Sequence, residues 1–304
     1  MEISAGLVKE LREKTGAGMM ECKKALAEVG GDLEKAIDFL RKKGLSVAEK
    51  KAGRVANQGL VGLSVSGTEG VLVELNSETD FVAKNTEFQN FLTDVLSAAL
   101  AQKGDLDKIK AAPLGGKSVE LTLVDLIARI GENMNLRRAA HVSVGTGVVV
   151  PYVHTATTPN LGKIGVLVAL ESAAPADKLT ELGKKLAMHI AAANPRFLNI
   201  ASVDADTLAR EKAIYEEQAK ASGKPANIIE KMVEGRLRKF YEEIVVHEQA
   251  FIMDPDKKVK DIIASAEKEL GAPVVLKAFA RYGLGEGIEK KAEDFAEEVK
   301  KQIS

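Results

Sequence analysis

The closest match to a catalytic motif in the sequence is AAPLGGKS, residues 111–118. The phosphate-binding loop of nucleotide-hydrolysing enzymes needs a Gly separated by four residues from its Gly-Lys-Ser, and it follows a buried strand. Here Ala111 takes the place of that Gly, and the preceding DLDKIKAA is typical of a helix. We therefore do not expect this segment to bind nucleotide. The glycines of GTG (145–147) and GLGEG (283–287) are typical of turns.

Residues that bind metals or act as nucleophiles are sparse. The histidines at positions 141, 154, 189 and 247 lie far apart, and the single Cys22 cannot form a zinc motif. Cys22 and His189 lie in helical patterns where packing roles are expected, whereas His154, in the strand-like PYVHTA, is open to an interface role. Glu74, Glu78 and Asp80 show no pairing typical of acid–base catalysis. The sequence thus predicts a protein that is not an enzyme and that has no cofactor and no metal site.

The apolar residue that most needs an explanation is Phe81, in the polar segment NSETDFVAKN (76–85). Aromatic residues make up only 4% of the chain and Trp is absent, so a Phe directly after Asp80 is conspicuous. One interpretation is that Phe81 packs beneath its own loop, as most phenylalanines do. The other is that the ring is kept exposed in order to enter the core of a partner. Position alone favours the first.

The elements that precede this segment are three short helices in the first fifty residues. Apolar residues recur at helical spacing in SAGLVKELREKTG, GMMECKKALAEVGG and DLEKAIDFLRKKG. We expect the first helix to end at Gly16 and the third to end before Gly44, with a basic linker at 48–54. Met20 falls on the apolar face of the second helix. We therefore expect only one of the adjacent Met19 and Met20 to be exposed.

An internal repeat follows. GVLVEL at 70–75 recurs as GVLVAL at 165–170, and each copy follows an alternating apolar stretch and precedes a long amphipathic helix. This pattern predicts two related α+β subdomains of a duplicated unit. The connection from strand to helix differs, since the first copy has NSETDFVAKN and the second has ESAAPADK. Because the plainer connection suffices to join strand to helix, Asp80 and Phe81 are additions to the first copy.

Beyond the second copy, residues 202–247 are predicted to form an antiparallel helical hairpin with its turn at 222–224. In PANIIEKMVEGRLRKFYEEIVV, apolar residues at positions 229, 233, 237, 240 and 244 form a helical seam. A helix at 258–270, the strand PVVLKAFARY and a last helix at 288–303 are expected to complete the chain.

Composition and charge exclude several classes of function. Lys and Arg total 43 and Asp and Glu total 44, so the net charge of −1 provides no field that favours nucleic acid or an anionic membrane. No apolar run approaches the about 20 residues of a membrane helix, and the N-terminus MEISAGLVKELREKTG is unlike a signal peptide. With one cysteine, these features predict a cytoplasmic protein without stable nucleic-acid binding or membrane attachment.

Five segments carry a resemblance to a known family. LVKELREKTGAGMMECKKAL, NSETDFVAKN, IGENMNLRR, KMVEGRLRKF and GEGIEK occur in this order along the whole chain. The ordered series closely resembles bacterial elongation factor Ts, the guanine-nucleotide exchange factor of the translational GTPase elongation factor Tu (EF-Tu). The resemblance implies a cofactor-independent protein that binds EF-Tu in its GDP-bound and nucleotide-free forms and promotes GDP release, so that GTP can bind. It also implies a possible dimer of such pairs.

The resemblance further implies an α+β multidomain architecture that matches the elements predicted above. It consists of a ubiquitin-associated (UBA)-like three-helix domain with its linker (1–54), a core N-subdomain (55–145), a core C-subdomain in two parts (146–201 and 248–285), a coiled-coil hairpin (202–247) and a C-terminal helical module (286–304).

The resemblance also implies which residues meet the GTPase. The loop Thr79, Asp80, Phe81 and Val82 would enter between two of its helices and displace groups around the nucleotide's Mg²⁺. EF-Tu-binding positions would be Arg12, Met19, Met20, Lys23, Ile130 and His154, with a lesser contact from the C-terminal helix. The segment NTEFQNF after the loop departs from other family members, so no contact beyond Asn85 is implied.

Three other functions are alternatives from the residues alone. A nucleotide enzyme of the phosphate-loop type would bind GDP or ATP without a partner. A nucleic-acid-binding accessory protein would bind RNA with strong salt dependence, which the near-neutral charge disfavours. A ubiquitin receptor would bind ubiquitin through residues 1–50 alone.

Overall fold

The computed structural model describes residues 3–221 and 223–289. These residues form helices and strands in two compact units, a mixed architecture that is compatible with the predicted α+β class. The first unit contains residues 3–62, 73–139 and 283–289 and the second contains residues 63–72, 140–221 and 223–282. The subdomain boundaries stay a prediction. The helix predicted for residues 288–303 lies outside the described residues from residue 290 onward.

The first unit begins with three helices whose ends follow local signals. The Ser4 side chain accepts a hydrogen bond from the Leu7 amide at 3.2 Å, and Asp32 accepts one from the Lys35 amide at 3.0 Å, so both residues are N-caps. Gly16 ends the first helix at φ 67°, as predicted. The helices share a buried core of Val8, Leu11, Cys22, Ala25, Leu26 and Ala36, which confirms the expected burial of Cys22. They are α1 (Ala5–Thr15), α2 (Met19–Glu28) and α3 (Leu33–Lys51).

The predicted end of α3 was wrong. The helix does not stop before Gly44 but continues to Lys51, so part of the expected linker is helical. A Cβ atom on Gly44 would lie 3.7 Å from Ala128 Cβ and 3.8 Å from Val124 Cγ1, so the glycine allows close packing against a later helix. This packing offsets the about 0.5–1 kcal/mol that a glycine costs inside a helix.

The prediction for Met20 was also wrong. Met20 is 65% exposed and Met19 is 58% exposed, so neither residue packs into the three-helix core. Cys22, Ala25 and Leu26 fill the space on that face of α2. Both methionine side chains therefore lie on the surface.

The rest of the first unit contains parts of three neighbouring strands, which follow the order β1–β2–β5 in the sheet. These parts are residues 58–62 of β1, 73–77 of β2 and 134–139 of β5. Residues 113–118 form a tight hairpin with Gly115 and Gly116 at φ 58° and 86°, and Lys117 Nζ lies 2.5 Å from Asp125 Oδ2. This geometry supports the prediction that the segment is not a phosphate loop. The elements are β1 (Gln58–Ser66), β2 (Glu69–Ser77), α4 (Asp80–Ala83), α5 (Thr86–Ala101), α6 (Leu106–Ala111), β3 (Pro113–Leu114), β4 (Lys117–Ser118), α7 (Val119–Ile130) and β5 (Met134–Ser143).

The second unit is built on an antiparallel pair of long strands, β6 (Gly147–Thr158) and β7 (Leu161–Glu171). Strand β7 also lies between β1 and β10 (Val275–Gly283). Its buried face packs with the amphipathic helix α8 into one apolar core that includes Val166, Val168, Leu170, Leu179, Leu186 and Ile190. The order β6–β7–α8 matches β1–β2–α5, as the repeat predicts. The duplication itself stays a prediction. The further elements are α8 (Ala176–Ala193), β8 (Ala250–Phe251), β9 (Asp254–Lys258), α11 (Val259–Leu270) and β10 (Val275–Gly283).

Two helices of the second unit, α9 (Ala205–Lys220) and α10 (Ala226–Ile244), pack against each other as a hairpin. In α10 the buried residues are Val233, Phe240 and Ile244, and Ile229 and Leu237 are half-buried. These are the five positions of the predicted seam. No helix among the described residues is long and apolar enough to span a bilayer.

Candidate functional site

Phe81 lies on the surface of the first unit. Phe81 is 76% exposed, so the prediction that it packs beneath its own loop was wrong. Strand β2 ends at Ser77 and the chain makes the single helical turn α4, which points Val82 and Ala83 inward at 5% and 4% exposure. Burial of an aromatic side chain contributes about 1.5–3 kcal/mol, which the exposed ring forgoes. A ring that stabilises nothing within its own fold is a candidate contact for a partner.

The polar neighbours of the ring leave it open. Lys84 Nζ lies 5.5 Å from the centre of the Phe81 ring and 3.4 Å from Asp80 Oδ2. Both charged side chains are mostly exposed, so this pair contributes little to stability. The Asp80 carboxylate, next to Phe81 in the chain, is 52% exposed and can accept hydrogen bonds from a partner.

Two short segments hold the turn in place. The Thr79 amide donates to Glu132 Oε2 at 2.9 Å and the Thr79 hydroxyl donates to Glu132 Oε1 at 2.7 Å. Glu132 can reach back to Thr79 because Gly131 ends α7 at φ 85°, a conformation that side chains disfavour. On the other side, Asn85 accepts from the Glu87 amide at 2.7 Å as the N-cap of α5. The exposed ring is therefore carried by a turn that is fixed at both ends.

The other predicted contact positions are divided between the units. Arg12, Met19, Met20 and Lys23 are exposed on α1 and α2 of the first unit, which also carries the Phe81 turn. Ile130 is half-buried at the end of α7, two residues before Glu132, which bonds Thr79 of the loop.

His154 belongs to the second unit. It is exposed on β6, and its Nδ1 lies 3.1 Å from the Tyr152 hydroxyl. The binding roles of all these residues stay predictions.

Glu74 is a buried carboxylate that is fully engaged within the first unit. It pairs with Arg137 at 3.1 Å and Arg138 at 2.5 Å and accepts from Asn76 at 2.9 Å and from the Gly285 amide at 2.8 Å. Burial alone would raise the pKa of Glu74, but the hydrogen bonds from Gly285, Asn76 and Arg138 outweigh burial and hold this pKa below its usual value. Its carboxylate is thus a structural anion.

His189 is fully buried on α8, which confirms its predicted packing role. Its Nε2 lies 2.9 Å from Gln249 Oε1, and its Nδ1 accepts from the Ile252 amide at 3.3 Å. Burial lowers the pKa of His189, and the hydrogen bond to Gln249 only partly opposes this shift. The imidazole is therefore neutral at physiological pH, with both nitrogens occupied.

The described residues contain no group of three or more His, Cys, Asp or Glu side chains that could hold a metal ion. The candidate site is therefore the exposed Phe81 ring on its fixed turn, together with the exposed Met19 and Met20 on the same unit. Glu132 was missed as the support of this surface. No local pattern could have found it, because its partner Thr79 lies 53 residues away in the chain.

Comparisons with known proteins agree on one family. The family model described as elongation factor TS matches residues 78–286. The elongation factor Ts of Rhodospirillum rubrum is 59% identical over 99% of both chains, and that of Paramagnetospirillum magneticum is 59% identical over 99% of this chain and 97% of its own. The elongation factor Ts of Magnetococcus marinus is 55% identical over 100% of this chain and 99% of its own. The chain belongs to the elongation factor Ts family.

Proposed function

We propose that this protein is the guanine-nucleotide exchange factor of EF-Tu in translation elongation, acting in the cytoplasm. The observation that carries the proposal is the exposed Phe81 ring on a turn whose Val82 is buried and whose Thr79 is bound to Glu132. A fixed apolar projection is suited to wedging into a protein core. It is not suited to breaking or forming covalent bonds, so the function is exchange by binding and not enzymatic catalysis.

The proposed mechanism acts on the Mg²⁺ and phosphate site of the GTPase. Mg²⁺ demands near-ideal octahedral geometry, and its affinity depends on the groups that orient its ligands. Inserting Phe81 between two helices of EF-Tu shifts those groups, and burial of the ring stabilises the shifted state by about 1.5–3 kcal/mol. Asp80 holds the displaced elements by hydrogen bonds. Because the coupling is reciprocal, nucleotide weakens binding of the factor as much as the factor weakens binding of nucleotide.

The exposed side chains on α1 and α2 provide the second part of the proposal. Arg12, Met19, Met20 and Lys23 grip a helix of the GTPase nucleotide-binding domain and set the direction in which Phe81 enters. Methionine side chains suit such a face because they are flexible and polarisable. Ile130 adds a contact beside the loop, and His154 meets a different domain of EF-Tu.

Release of a fluorescent GDP from EF-Tu, followed by stopped flow, tests the proposal. Wild-type protein is expected to accelerate release strongly. The variant Phe81→Ala should lower the maximal rate by roughly 10–100-fold, which is the loss of one buried ring expressed as a rate. Its melting temperature should match that of the wild type, because the ring is 76% exposed in the unbound protein.

Phe39→Ala is the matched control, since it removes a phenylalanine that is 37% exposed elsewhere in the first unit. This variant should retain wild-type exchange. Absence of acceleration by wild-type protein would contradict the proposed function. Acceleration that survives Phe81→Ala would contradict the role of the ring.

Met20→Ala tests the second surface. The variant should weaken the complex with nucleotide-free EF-Tu by about 1–2 kcal/mol, as truncation of an interface anchor does. Its stability should be unchanged because Met20 lies outside the core. Titration calorimetry measures the affinity, and an unchanged dissociation constant would remove Met20 from the interface.

A further inference from the structure

Two segments of the first unit exchange backbone and carboxylate bonds in both directions. Glu132 accepts hydrogen bonds from the amide and hydroxyl of Thr79 at 2.9 and 2.7 Å. In return, the amide of Asn133 donates to Glu78 Oε1 at 2.5 Å. Each segment therefore supplies a carboxylate to a backbone amide of the other. We call Glu78, Thr79, Glu132 and Asn133 the carboxylate clasp.

The carboxylate clasp is also tied to the end of the N-terminal helices. The Asn133 side-chain amide donates to the backbone oxygen of Arg54 at 2.7 Å, and Arg54 Nη1 lies 3.5 Å from Glu78 Oε2. Lys51 Nζ, in the last turn of α3, donates to the backbone oxygen of Gly131 at 2.5 Å. The helices that carry Met19 and Met20 and the turn that carries Phe81 thus meet at one set of polar contacts.

The clasp is mostly shielded from water. Asn133 is 8% exposed, the side chain of Glu78 is 20% exposed, and Thr79 is half-buried. Hydrogen bonds to a charged acceptor are stronger than neutral ones, and partial burial reduces competition from water. Phe81 follows Thr79 by two residues and Ile130 precedes Glu132 by two. The clasp therefore joins the segment that carries Phe81 to the segment that carries Ile130.

We propose that Glu132 is a positioning residue for nucleotide exchange: through its paired bonds to Thr79 it holds Phe81 in the direction of insertion and in register with Ile130. This inference rests on the proposed exchange function. A ring on a loose turn would have to lose conformational freedom during insertion, whereas a ring that is already held does not. The clasp thus favours the inserted state without touching the GTPase nucleotide site.

The test compares maximal rates of fluorescent GDP release at saturating factor with the factor concentration at half-saturation. Glu132→Ala is expected to lower the maximal rate by about 10-fold, because a misplaced group loses much of its effect while the docking surfaces remain. The half-saturating concentration should change by less than about 3-fold. Glu120→Gln is the matched control: it removes an exposed carboxylate at the other end of α7, away from the clasp, and should behave as wild type.

Variants of Thr79 keep the inference testable should Glu132→Ala fold poorly. Thr79→Val removes the hydroxyl donor and should lower the maximal rate, whereas Thr79→Ser retains the donor and should restore it. In the Phe81→Ala background, Glu132→Ala should have less than about a 2-fold further effect, because there is no ring left to position.

The outcomes separate the two proposals. The positioning role would be established by a lower maximal rate in Glu132→Ala and in Thr79→Val. The rate should not fall in Thr79→Ser, and Glu132→Ala should not lower it further in the Phe81→Ala background. Wild-type rates in both Glu132→Ala and Thr79→Val would overturn it and leave exchange itself intact. An equal loss with and without Phe81 would overturn it as well, because the clasp would then act on the fold in general. No acceleration by wild-type protein would overturn the proposed function.

Discussion

The two connections from strand to helix differ in what they carry. Between β7 and α8 the chain needs only residues 172–175, where the Ser172 side chain accepts from the Ala174 amide at 3.1 Å and Pro175 precedes the helix. Between β2 and α5 the chain uses residues 78–85, adds the turn α4 and leaves Phe81 exposed. The second connection has no exposed large apolar side chain.

This difference separates what the fold requires from what is added to it. The shorter connection shows that a strand and a helix of this kind can be joined by four residues. The longer connection is held by hydrogen bonds from Thr79 to Glu132 and from the Asn133 amide to Glu78, and it ends at the N-cap Asn85. These contacts bury no aromatic ring of the connection. A fixed turn that exposes an apolar ring to water does not stabilise the fold through that ring. Binding to a partner explains the exposed ring better.

The strands before the two connections also differ. Glu74 of β2 corresponds to Ala169 of β7 in the repeat, and both are fully buried. Glu74→Ala makes the first copy like the second and should destabilise the protein by about 3 kcal/mol. This is the low end for a broken buried pair, because the side chains of Arg137 and Arg138 are 23% and 29% exposed and keep some contact with water. Denaturation in urea measures this loss.

Glu69→Ala is the control for Glu74→Ala, since Glu69 lies at the exposed end of the same strand. Its effect should stay below about 0.5 kcal/mol. A free energy of unfolding for Glu74→Ala that equals the wild-type value would mean that the two copies tolerate the same side chain at this position.

The helices after the two connections differ in acid sensitivity. The buried side chains of α5 are all apolar, whereas α8 buries His189, whose pKa is lowered by burial. In the unfolded chain His189 binds a proton near pH 6.5, whereas in the folded protein it remains unprotonated at that pH. The free energy of unfolding therefore falls as pH drops below that value. The slope from one such group is at most about 1.4 kcal/mol per pH unit.

His189→Gln removes this titration and should flatten the pH dependence of the free energy of unfolding between about pH 6.5 and 5. His247, whose pKa burial also lowers, leaves part of the slope in place. Glu74 acts in a lower window, because its stabilisation is lost only as pH falls below the ordinary carboxylate pKa. If the free energy of unfolding of His189→Gln depends on pH as steeply as that of the wild type, His189 is not the acid-sensitive group.

The last residues of the two connections should differ least. Asn85→Ala removes the N-cap bond to the Glu87 amide and should cost about 1 kcal/mol. Pro175 makes no capping bond from its side chain, so Pro175→Ala should change stability by less than about 0.5 kcal/mol. Thermal unfolding of both variants compares the two helix starts, and equal losses would contradict the account of the caps.

Much of the fold could be predicted from periodicity and capping signals. The strands of the repeat, the seam of α10 and the stop at Gly16 all depend on local spacing, and each was confirmed. The errors lay where distant residues decide. Gly44 is a helix-ending signal locally, yet packing against Ala128 carries α3 past it. Helix α7 had no counterpart among the predicted elements.

The candidate site was predictable in part. The comparison of the two connections identified Phe81, but exposure of the ring depends on Val82 filling the inward position instead. The exposure of both Met19 and Met20 depends on Cys22 and its neighbours completing a small core. Which of several apolar side chains fills the core depends on the three-dimensional packing of all the elements. The spacing of residues along one helix does not give this information.

We expect Phe81 to move from water into the core of EF-Tu when the complex forms. The chain contains no Trp, so Phe81→Trp labelled with 5-fluorotryptophan gives a protein with a single ¹⁹F probe at this position. Before binding, the ¹⁹F resonance should show the solvent isotope shift of an exposed ring. On addition of unlabelled, nucleotide-free EF-Tu, the account predicts that the resonance moves and loses that isotope shift. A complex that forms while the probe remains exposed to water would contradict it.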